Sequence, residues 1–375
     1  MTTTAGEIKG ANEESVHVIQ ADLLIPGRGE PLSDAAIVYN TKTILYVGPQ
    51  ADIPECYNAL DATHLPVNPI VSGARSVRDL ELLLNAGYTS VRECGGNGIF
   101  LDQVVEDGYF IGPKIYSQGL QVWLCDGVDE CTKAVRLQTR KGAKFIKICA
   151  SGGVLSQKDD PKHQQYSAQE LQAFVAEAAL SERIVAAHCH GKAGIMAALR
   201  AGARTIEHGT YLDLECVALM KEKEAILVPT RTLHEVLRTG LSATSAKKMI
   251  DASKNLKFAR QLAIKHGVKI ALGSDLGLGI QGHPAAHCQN ALELSLAVDA
   301  GMTSLAAIEA ATASGPLTLG PQAPLFGQIA VGYEPDFIAV TSSPLDDISV
   351  LVNPDNITHV WRRRMLYKSP DSTKV

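Results

Sequence analysis

Apolar and polar residues follow two different patterns, one at both ends of the chain and another in its middle. Near the ends, short apolar runs are separated by turn residues such as those at 26–29, which is typical of antiparallel strands. These runs are 16–20, 35–39 and 43–48 near the start, and 327–329, 336–340 and 357–361 near the end. Because the termini of one domain often lie close together, we expect residues 1–62 and 321–375 to form one small β-sandwich domain.

The middle of the chain, residues 63–320, alternates apolar β runs with stretches of helical periodicity. Leu171, Phe174 and Ala178, for example, recur at the spacing of one helix face. The β runs are 89–94, 114–118, 144–149, 184–188, 205–208, 226–230 and 269–275, and the helical stretches include 167–181, 191–201 and 213–222. Such alternation predicts a parallel sheet covered by helices. Strands in this number over roughly 250 residues favour a TIM barrel over an open sheet.

Composition and charge are those of an ordinary globular chain, and they exclude several functions. The 375 residues are 46% hydrophobic and 20% charged, without the run of about 18 apolar residues that a membrane-spanning helix needs. Lys and Arg number 35 against 40 for Asp and Glu, whereas a nucleic-acid-binding protein usually carries a basic surplus. We therefore expect neither membrane nor nucleic acid as a partner. The 8 cysteines, with no CxxC pair and no apolar leader at 1–10, predict reduced thiols in a cytoplasmic protein.

Polar side chains collect where the predicted barrel strands end. They are Lys147, His188, His190, His208 and Asp275. The C-terminal ends of barrel strands share one face, and that face carries the active site. Imidazole and carboxylate are ligands of hydrolytic zinc sites, and a carboxylate can also take the proton of an attacking water. A lysine fits such a site only if its neutral amine has added carbon dioxide, giving a carbamate anion whose two oxygens can bridge two metals.

Each of these residues also has an ordinary structural explanation. A lone histidine is most often solvated or hydrogen-bonded, Asp275 could cap a helix, and Lys147 could be a surface charge. Lys147, however, lies in the apolar run 145–149, where an unpaired charge is costly. The coincidence of all five at successive strand ends favours the site over the structural explanations.

Four short motifs at these strand ends carry a family resemblance. They read AKFIKICASGG at 143–153, AHCHG at 187–191, IEHGTY at 206–211 and ALGSD at 271–275, and GYEPDF at 332–337 also matches. They resemble the amidohydrolase superfamily, and most of all the branch of ochratoxinase, imidazolonepropionase-like proteins and Xaa-Pro dipeptidases. The resemblance runs from about residue 16 to residue 368. It implies an α/β fold with a (β/α)8 TIM barrel and a small β-sandwich, and a metal-dependent hydrolase.

The resemblance also implies a role for each residue of the metal site. Lys147 would be the carboxylated bridge, and His188 and His208 would bind one metal ion. Asp275 would be both a metal ligand and the general base. The implied cofactor is a divalent metal, zinc by the nature of its ligands.

The substrate that the branch implies is a small-molecule amide. N-acyl amino acids, dipeptides and amide-linked secondary metabolites all fall in this class. His190 and Tyr211 would polarise the carbonyl of the amide that is cleaved. Because members of the branch form oligomers, we also expect a homo-oligomer.

The chain departs from the family pattern at the first barrel strand. That strand should end in His-x-His near Leu65, but the chain reads HLPVNPIVSGAR at 64–75, and no His-x-His precedes Lys147. A second departure follows Leu120, where the family has a long loop after the third strand. The helix that follows the first strand is still predicted, at 76–87.

The missing strand should affect both the metal site and the barrel. Without the His-x-His pair, the first of two metal positions has too few ligands, so we expect at most one ion per chain and weaker activity. The barrel would have two unpaired edges, with residues 67–71 as a short substitute strand. Two explanations fit the absence of the His-x-His pair and of the long third-strand loop. Either coding segments are missing from this sequence, or the protein is a catalytically impaired or dead paralogue retained as a structural or assembly barrel.

Overall fold

The computed structural model describes residues 8–9, 15–24, 32–39, 44–49, 52, 69–119, 125–156, 159–237, 243–277, 285–287, 289–363 and 365–370. The chain divides into two compact units, Met1–Ala74 and Arg75–Val375. No helix among the described residues is long and apolar enough to cross a membrane.

The first unit contains an antiparallel sheet with the strand order β1-β2-β3-β4. Its strands are β1 (Ile8–Lys9), β2 (Ser15–Leu24), β3 (Leu32–Tyr39) and β4 (Ile44–Pro49). Strand β2 pairs with β3 from His17 opposite Tyr39 to Leu24 opposite Leu32. The three strands predicted near the start are therefore confirmed, and the turn predicted at 26–29 lies outside the described residues.

The parallel strands of the second unit follow the predicted order. They are β5 (Ser90–Glu93), β6 (Lys114–Ser117), β7 (Ile146–Cys149), β8 (Val185–Cys189), β9 (Thr205–His208), β10 (Ile226–Val228) and β11 (Lys269–Ile270). Strands β7 to β11 form one sheet in chain order, and β5 pairs with β6. The Lys144 N–H donates to the Ser117 carbonyl at 2.8 Å, which places the start of β7 beside β6. Every β run predicted between 89 and 275 thus contains a strand.

Helices cover the parallel strands, and several begin and end where their sequence requires. They are α1 (Pro69–Asn85), α2 (Gly98–Glu106), α3 (Gly127–Arg140), α4 (Ala168–Ala179), α5 (Lys192–Ala201), α6 (Leu214–Glu222), α7 (Arg231–Val236), α8 (Ala243–Lys265), α9 (Leu292–Asp299) and α10 (Ser304–Ala311). Ser167 and Glu170 form a capping box at the start of α4. Gly202, with φ 101°, ends α5. The helices predicted at 167–181, 191–201 and 213–222 are confirmed.

The substitute first strand predicted at 67–71 is wrong for residues 69–71, which begin helix α1. Pro69 is the first residue of this helix. At that position proline's fixed φ already suits the helix, and its missing N–H removes no hydrogen bond within the helix. The helix predicted at 76–87 therefore starts a further seven residues earlier. Residues 67 and 68 lie outside the described part.

The end of the chain forms a second antiparallel sheet, in the order β12-β13-β14. Its strands are β12 (Phe337–Val340), β13 (Ile357–Arg362) and β14 (Met365–Lys368). The strand predicted at 327–329 is wrong. Gly327 there adopts a φ of 80°, and a Cβ atom at this position would clash with the Thr312 carbonyl oxygen, so the chain turns where only glycine fits. A β-sandwich formed jointly by residues 1–62 and 321–375 stays a prediction.

The alternation of side chains along β7 separates the two layers of the core. Ile146 and Ile148 pack with helix residues such as Phe174 in the largest apolar cluster. Phe145 packs on the other side of the strand, with Tyr116 and other residues of the barrel interior. Since successive residues of a strand face opposite ways, Lys147 faces the same interior as Phe145.

In the part of the chain that the structure describes, the outermost parallel strands β5 and β11 each have a strand on one side only. Beyond β11, the Leu272 N–H donates to the carbonyl of Ala310 in helix α10 at 2.9 Å, where a barrel would place a neighbouring strand. The position between β11 and β5 is the one that the first strand of a barrel occupies.

We expect that restoring the first strand stabilises the protein. The change is an inserted family-type segment ending in His-x-His between Leu65 and Ile70, together with a third-strand loop after Leu120. Each buried backbone group that gains a partner removes a cost of about 1–3 kcal/mol, and each kcal/mol raises the melting temperature of a chain of this size by about 2–4 °C.

Thermal melting followed by circular dichroism measures this effect. The control carries Gly-Ser insertions of the same lengths, which add residues but no strand. If the chain as written melts cooperatively at about 45–65 °C and the restored version melts no higher than the control, our account of the open edges is wrong.

Candidate metal centre

Three histidines meet at the C-terminal ends of β8 and β9. The ring centroids of His188, His190 and His208 are 4.7 Å apart in each of the three pairs. One ring nitrogen from each lies within 4.8 Å of those of the other two, close enough for a single ion to draw them together. His190 and His208 are buried and His188 is half-buried. We call these three residues the histidine cluster.

Backbone register and one unusual dihedral angle bring the cluster together. His188 lies opposite Cys149 of β7 and Glu207 of β9. Strand alternation alone would send the side chains of Glu207 and His208 to opposite faces, but His208 adopts a φ of 71°. This left-handed conformation is uncommon outside glycine and costs of the order of 1–3 kcal/mol. It lets both side chains be buried on the barrel side of β9, and such strain is typical of functional sites.

Two threonines orient two of the rings. The Nδ1 atom of His190 lies 2.6 Å from the Thr210 hydroxyl oxygen, and the Nδ1 atom of His208 lies 2.7 Å from that of Thr230. Both threonines are buried. Each ring is thus fixed through Nδ1, and its Nε2 remains for another partner. Hydrogen bonds of this kind orient the histidine ligands of metal sites in proteins.

The third ring is oriented by a main-chain carbonyl. The Nε2 atom of His188 lies 3.1 Å from the carbonyl oxygen of Gly152. A carbonyl only accepts, so Nε2 carries the proton and donates it. Burial, together with the positive charge of Lys147, lowers the pKa of His188 to about 4. The neutral ring therefore has its lone pair on Nδ1.

The other two imidazoles are also neutral. Burial lowers the pKa of His190 and of His208 well below the ordinary value, and the neighbouring histidines act in the same direction. Neutral imidazole is the form that binds a metal. In donor type and neutral state, the histidine cluster therefore fits a divalent cation.

Lys147 lies buried near the cluster, 6% exposed. Its main-chain N–H donates to the side-chain oxygen of Gln118 at 3.2 Å. Burial alone would lower the pKa of Lys147, but the surrounding acidic groups, among them Cys94, Glu207 and Asp275, outweigh it and raise the pKa. The lysine predicted at the site thus lies inside the barrel, within the electrostatic reach of both carboxylates.

Asp275 follows β11 and also has a left-handed backbone, with φ 57°. Its side chain keeps contact with solvent, yet the surrounding protein removes enough water to raise its pKa to about 6, against the opposing effect of Lys147. Among the described residues, the side chains that lie close enough together to hold a metal ion are those of the three histidines, without Asp275. The structure thus brings His190 closer to the predicted ligands than Asp275.

Tyr211 lies at the rim of the site. Its hydroxyl donates to the Asp251 carboxylate at 2.6 Å, and the Lys162 ammonium lies 4.9 Å from the centre of its ring. Burial and the Asp251 carboxylate raise the pKa of Tyr211. Its main-chain N–H donates to the His190 carbonyl at 2.9 Å. The residue is therefore tied to the cluster through its backbone, and its hydroxyl is directed to helix α8.

A buried ion pair inside the barrel was not predicted from the sequence. A guanidinium nitrogen of Arg92, on β5, lies 2.7 Å from a carboxylate oxygen of Glu207, on β9. The Thr205 hydroxyl donates to the other oxygen of that carboxylate at 2.5 Å, and the guanidinium lies 5.1 Å from the centre of the Phe145 ring. The sequence does contain an indication of this pair, because Arg92 is a charged residue within the predicted strand 89–94, as Lys147 is within the apolar run 145–149.

Parallel strands with helices between them, and histidines at the strand ends, define a protein of the TIM-barrel hydrolase class. The model of the amidohydrolase family matches residues 50–363, and the chain belongs to this family. It is therefore a hydrolase of carbon–nitrogen bonds, and the predicted family and fold class are confirmed.

Individual relatives support the same assignment. Ochratoxinase of Aspergillus niger is 42% identical over 435 residues, covering 97% of this chain and 89% of the relative. The crystal structure of A. niger ochratoxinase superposes with a TM-score of 0.76 at 40% identity, covering 96% and 97% of the two chains. A Xaa-Pro dipeptidase with bound methionine in its active site gives a TM-score of 0.74 at 26% identity, covering 94% of this chain and 99% of the other.

The length of the ochratoxinase alignment bears on the missing segments. Its 435 positions exceed the 375 residues of this chain by 60, so at least that many residues of the relative have no counterpart here. This excess agrees with the prediction that segments present in the family are missing from this sequence.

The Arg92–Glu207 pair yields a stability prediction. Arg92→Leu alone should lower the free energy of unfolding by about 3–5 kcal/mol, because it leaves a buried carboxylate without a partner. Arg92→Leu combined with Glu207→Leu should cost much less, since no buried charge is then left unpaired. Urea unfolding of the single and double variants measures the difference.

The control is the exposed pair of Arg136 and Glu177, whose ionic contact is 2.8 Å. Arg136→Leu should cost less than about 1 kcal/mol because solvent screens that pair. Equal costs for Arg92→Leu and for the double variant would contradict the proposed interdependence of the two buried charges.

Proposed function

We propose that the protein is a metal-dependent amidohydrolase that cleaves the amide bond of an N-acyl amino acid, a dipeptide or an amide-linked secondary metabolite. The observation that carries this proposal is the histidine cluster, three neutral imidazoles at the strand ends of an amidohydrolase barrel. The names of the relatives, an ochratoxinase and a Xaa-Pro dipeptidase, support amides as the substrate class.

The metal in this proposal is zinc, held by His188 and His208 together with Lys147 as a carbamate. When bound, the ion would supply a Lewis acid that polarises the amide carbonyl and activates water at neutral pH. The buried position of Lys147 beside the cluster supports its part. Carboxylation would replace a buried cation by an anion, which suits a site that receives a divalent cation.

Asp275 is the general base in this proposal. Its pKa of about 6 leaves it mostly ionised at neutral pH and still basic enough to accept a proton from water, which is the compromise that general-base catalysis requires. Its contact with solvent gives water access to the carboxylate. Tyr211 would polarise the substrate carbonyl once its hydroxyl exchanged Asp251 for the substrate.

A catalytically impaired barrel retained for assembly is the second candidate function. It is favoured by the sequence itself, which has no His-x-His before Lys147. In both cases we propose a cytoplasmic protein and, as the resemblance implies, a homo-oligomer. Turnover of a panel of N-acyl amino acids and dipeptides by the zinc-loaded protein separates the two candidates.

The panel experiment needs a variant that folds but cannot bind the metal. His208→Ala should abolish turnover and leave the far-ultraviolet circular dichroism unchanged, because the substitution removes a ligand and relieves rather than adds steric crowding. Turnover of no panel member by wild-type protein that contains zinc would count against the hydrolase and for the impaired barrel.

Variants of Lys147 test the carbamate. Lys147→Ala should lose the metal, and added short carboxylic acids should partly restore it by supplying the missing anionic oxygens. Lys147→Arg should not retain it, because a guanidinium forms no carbamate and remains positively charged. Elemental analysis of the purified variants measures the metal content. If both variants hold as much metal as the wild type, Lys147 is structural.

A further inference from the structure

We infer that Lys162 binds the free carboxylate of the substrate, and that the Asp251 carboxylate holds this position while no substrate is bound. The inference rests on the amide hydrolase proposed above and narrows its substrates to amides of amino acids whose carboxylate is free. The evidence lies in three side chains at the rim of the site, those of Lys162, Tyr211 and Asp251, which contact one another. We call these three residues the rim triad.

The backbone of Lys162 is packed against the chain that leaves the histidine cluster. Gly191 directly follows His190, and its N–H donates to the Pro161 carbonyl at 2.9 Å. A Cβ atom at Gly191 would lie 2.6 Å from the Cα and from the carbonyl oxygen of Lys162, so only glycine allows this approach. The loop that carries Lys162 is therefore held at the end of β8, beside the proposed metal site.

One carboxylate oxygen lies between the two other groups of the rim triad. The Oδ2 atom of Asp251 accepts the hydrogen bond of the Tyr211 hydroxyl at 2.6 Å, and it lies 4.0 Å from the Lys162 ammonium nitrogen. The same ammonium lies 4.9 Å from the centre of the Tyr211 ring. An anionic oxygen at this position thus meets a hydrogen-bond donor and a cation together.

Of these two groups, the ammonium is held less firmly by Asp251. Its contact of 4.0 Å is longer than a charge-assisted hydrogen bond, which measures about 2.7–2.9 Å, and the Lys162 side chain is 59% exposed. The nearby Lys248 ammonium, by contrast, donates to the carbonyls of Ser156, at 2.9 Å, and of Asp159. Lys162 therefore has room for an anion that approaches more closely than Asp251 does.

The proposed substrates carry an anion at a suitable place. An N-acyl amino acid and a dipeptide both have a free carboxylate, and only the α-carbon and the amide nitrogen separate it from the carbonyl that is attacked. A carboxylate bound by Lys162 therefore keeps this carbonyl near the Tyr211 hydroxyl, which is the group proposed to polarise it.

Binding of the substrate carboxylate also frees that hydroxyl. Two carboxylates that compete for one ammonium repel each other, so the substrate displaces Asp251 from Lys162 and from Tyr211. Because the Asp251 side chain is 55% exposed, it can turn into solvent. An amide without a carboxylate lacks this effect and leaves Asp251 bound to the hydroxyl.

Two probes that differ in a single group test for the carboxylate subsite. N-acetyl-L-phenylalanine has the free carboxylate, and N-acetyl-L-phenylalaninol has a hydroxymethyl group in its place. Calorimetric titration of the full chain in the presence of zinc measures the affinity for each probe, and release of acetate measures turnover. The wild type should bind the acid about tenfold more tightly than the alcohol, the weaker end of the range for a hydrogen bond to a charged group.

Variants of the rim triad separate the roles of its two charges. Lys162→Met should abolish the preference for the acid, and Lys162→Arg should keep it, since a guanidinium also binds carboxylate. Asp251→Asn should tighten binding of the acid, because a neutral amide no longer competes for the ammonium. Melting temperatures and zinc content, measured for each variant, show that neither folding nor the metal has been lost.

The matched control is another exposed ion pair that involves helix α8. The Lys257 ammonium lies 2.9 Å from the Asp299 carboxylate, with the two side chains 40% and 45% exposed. Lys257→Met removes the same charge as Lys162→Met, but away from the rim triad. It should change the affinity for neither probe.

Three results would overturn the inference. One is equal affinity of the wild type for the two probes, whether both bind or neither does. Another is a preference for the acid that persists in Lys162→Met. The third is weaker binding of the acid in Asp251→Asn, because Asp251 would then support Lys162 rather than compete for it. Selective binding of the acid without release of acetate would leave the inference intact and count against the proposed hydrolase.

Discussion

Two buried positive charges inside the barrel, each of which needs a compensating negative charge, are the constraint on which the site depends. Arg92 and Lys147 both enter an interior that is otherwise lined by residues such as Phe145 and Tyr116. A buried charge persists only with a partner. The Arg92 guanidinium is neutralised by Glu207, through a direct 2.7 Å contact. Lys147 forms no ion pair with any described residue, but it lies within electrostatic reach of several acidic groups.

This difference between the two cations has a chemical consequence. A guanidinium stays charged under all ordinary conditions, so Arg92 requires a permanent anion and obtains one in Glu207. A lysine amine can instead change its own state, by losing a proton or by adding carbon dioxide. The neighbouring histidines carry no negative charge that could balance an ammonium at Lys147. An ammonium there and a bound divalent cation would therefore repel each other. The proposed carbamate removes that conflict.

Strand order and periodicity made most of the barrel predictable from the sequence, because parallel strands buried on both faces appear as short apolar runs. Lys147, His188 and His208 could be predicted for the same reason, as polar residues at the ends of such runs. Thr210 and Thr230 could not, since their partners lie about twenty residues away on neighbouring strands and no periodicity links them. Helix α1 was predicted too short because its first turn contains Pro69, which resembles a breaker in the sequence.

Backbone strain is a further feature that the sequence did not reveal. His208 and Asp275 both adopt left-handed conformations at strand ends. In the sequence, Gly209 follows His208 and Leu276 follows Asp275. Neither dipeptide indicates that its first residue has a left-handed backbone. The strain depends on which way each side chain must point, and this direction is fixed only when neighbouring strands assemble.

The position of the histidine cluster bears on how one metal site could persist if the first barrel strand were missing. His188 lies on β8 and His208 on β9, two adjacent strands of one sheet. Strand β7 pairs with β8 on one side, and β10 pairs with β9 on the other. Asp275 instead follows β11, which is one of the two edge strands of that sheet among the described residues. A missing first strand would remove a neighbour of β11, so it would disturb the surroundings of Asp275 before those of the cluster. An ion held there, as proposed, would therefore depend on paired strands, whereas the proposed general base would depend on the edge beside β11.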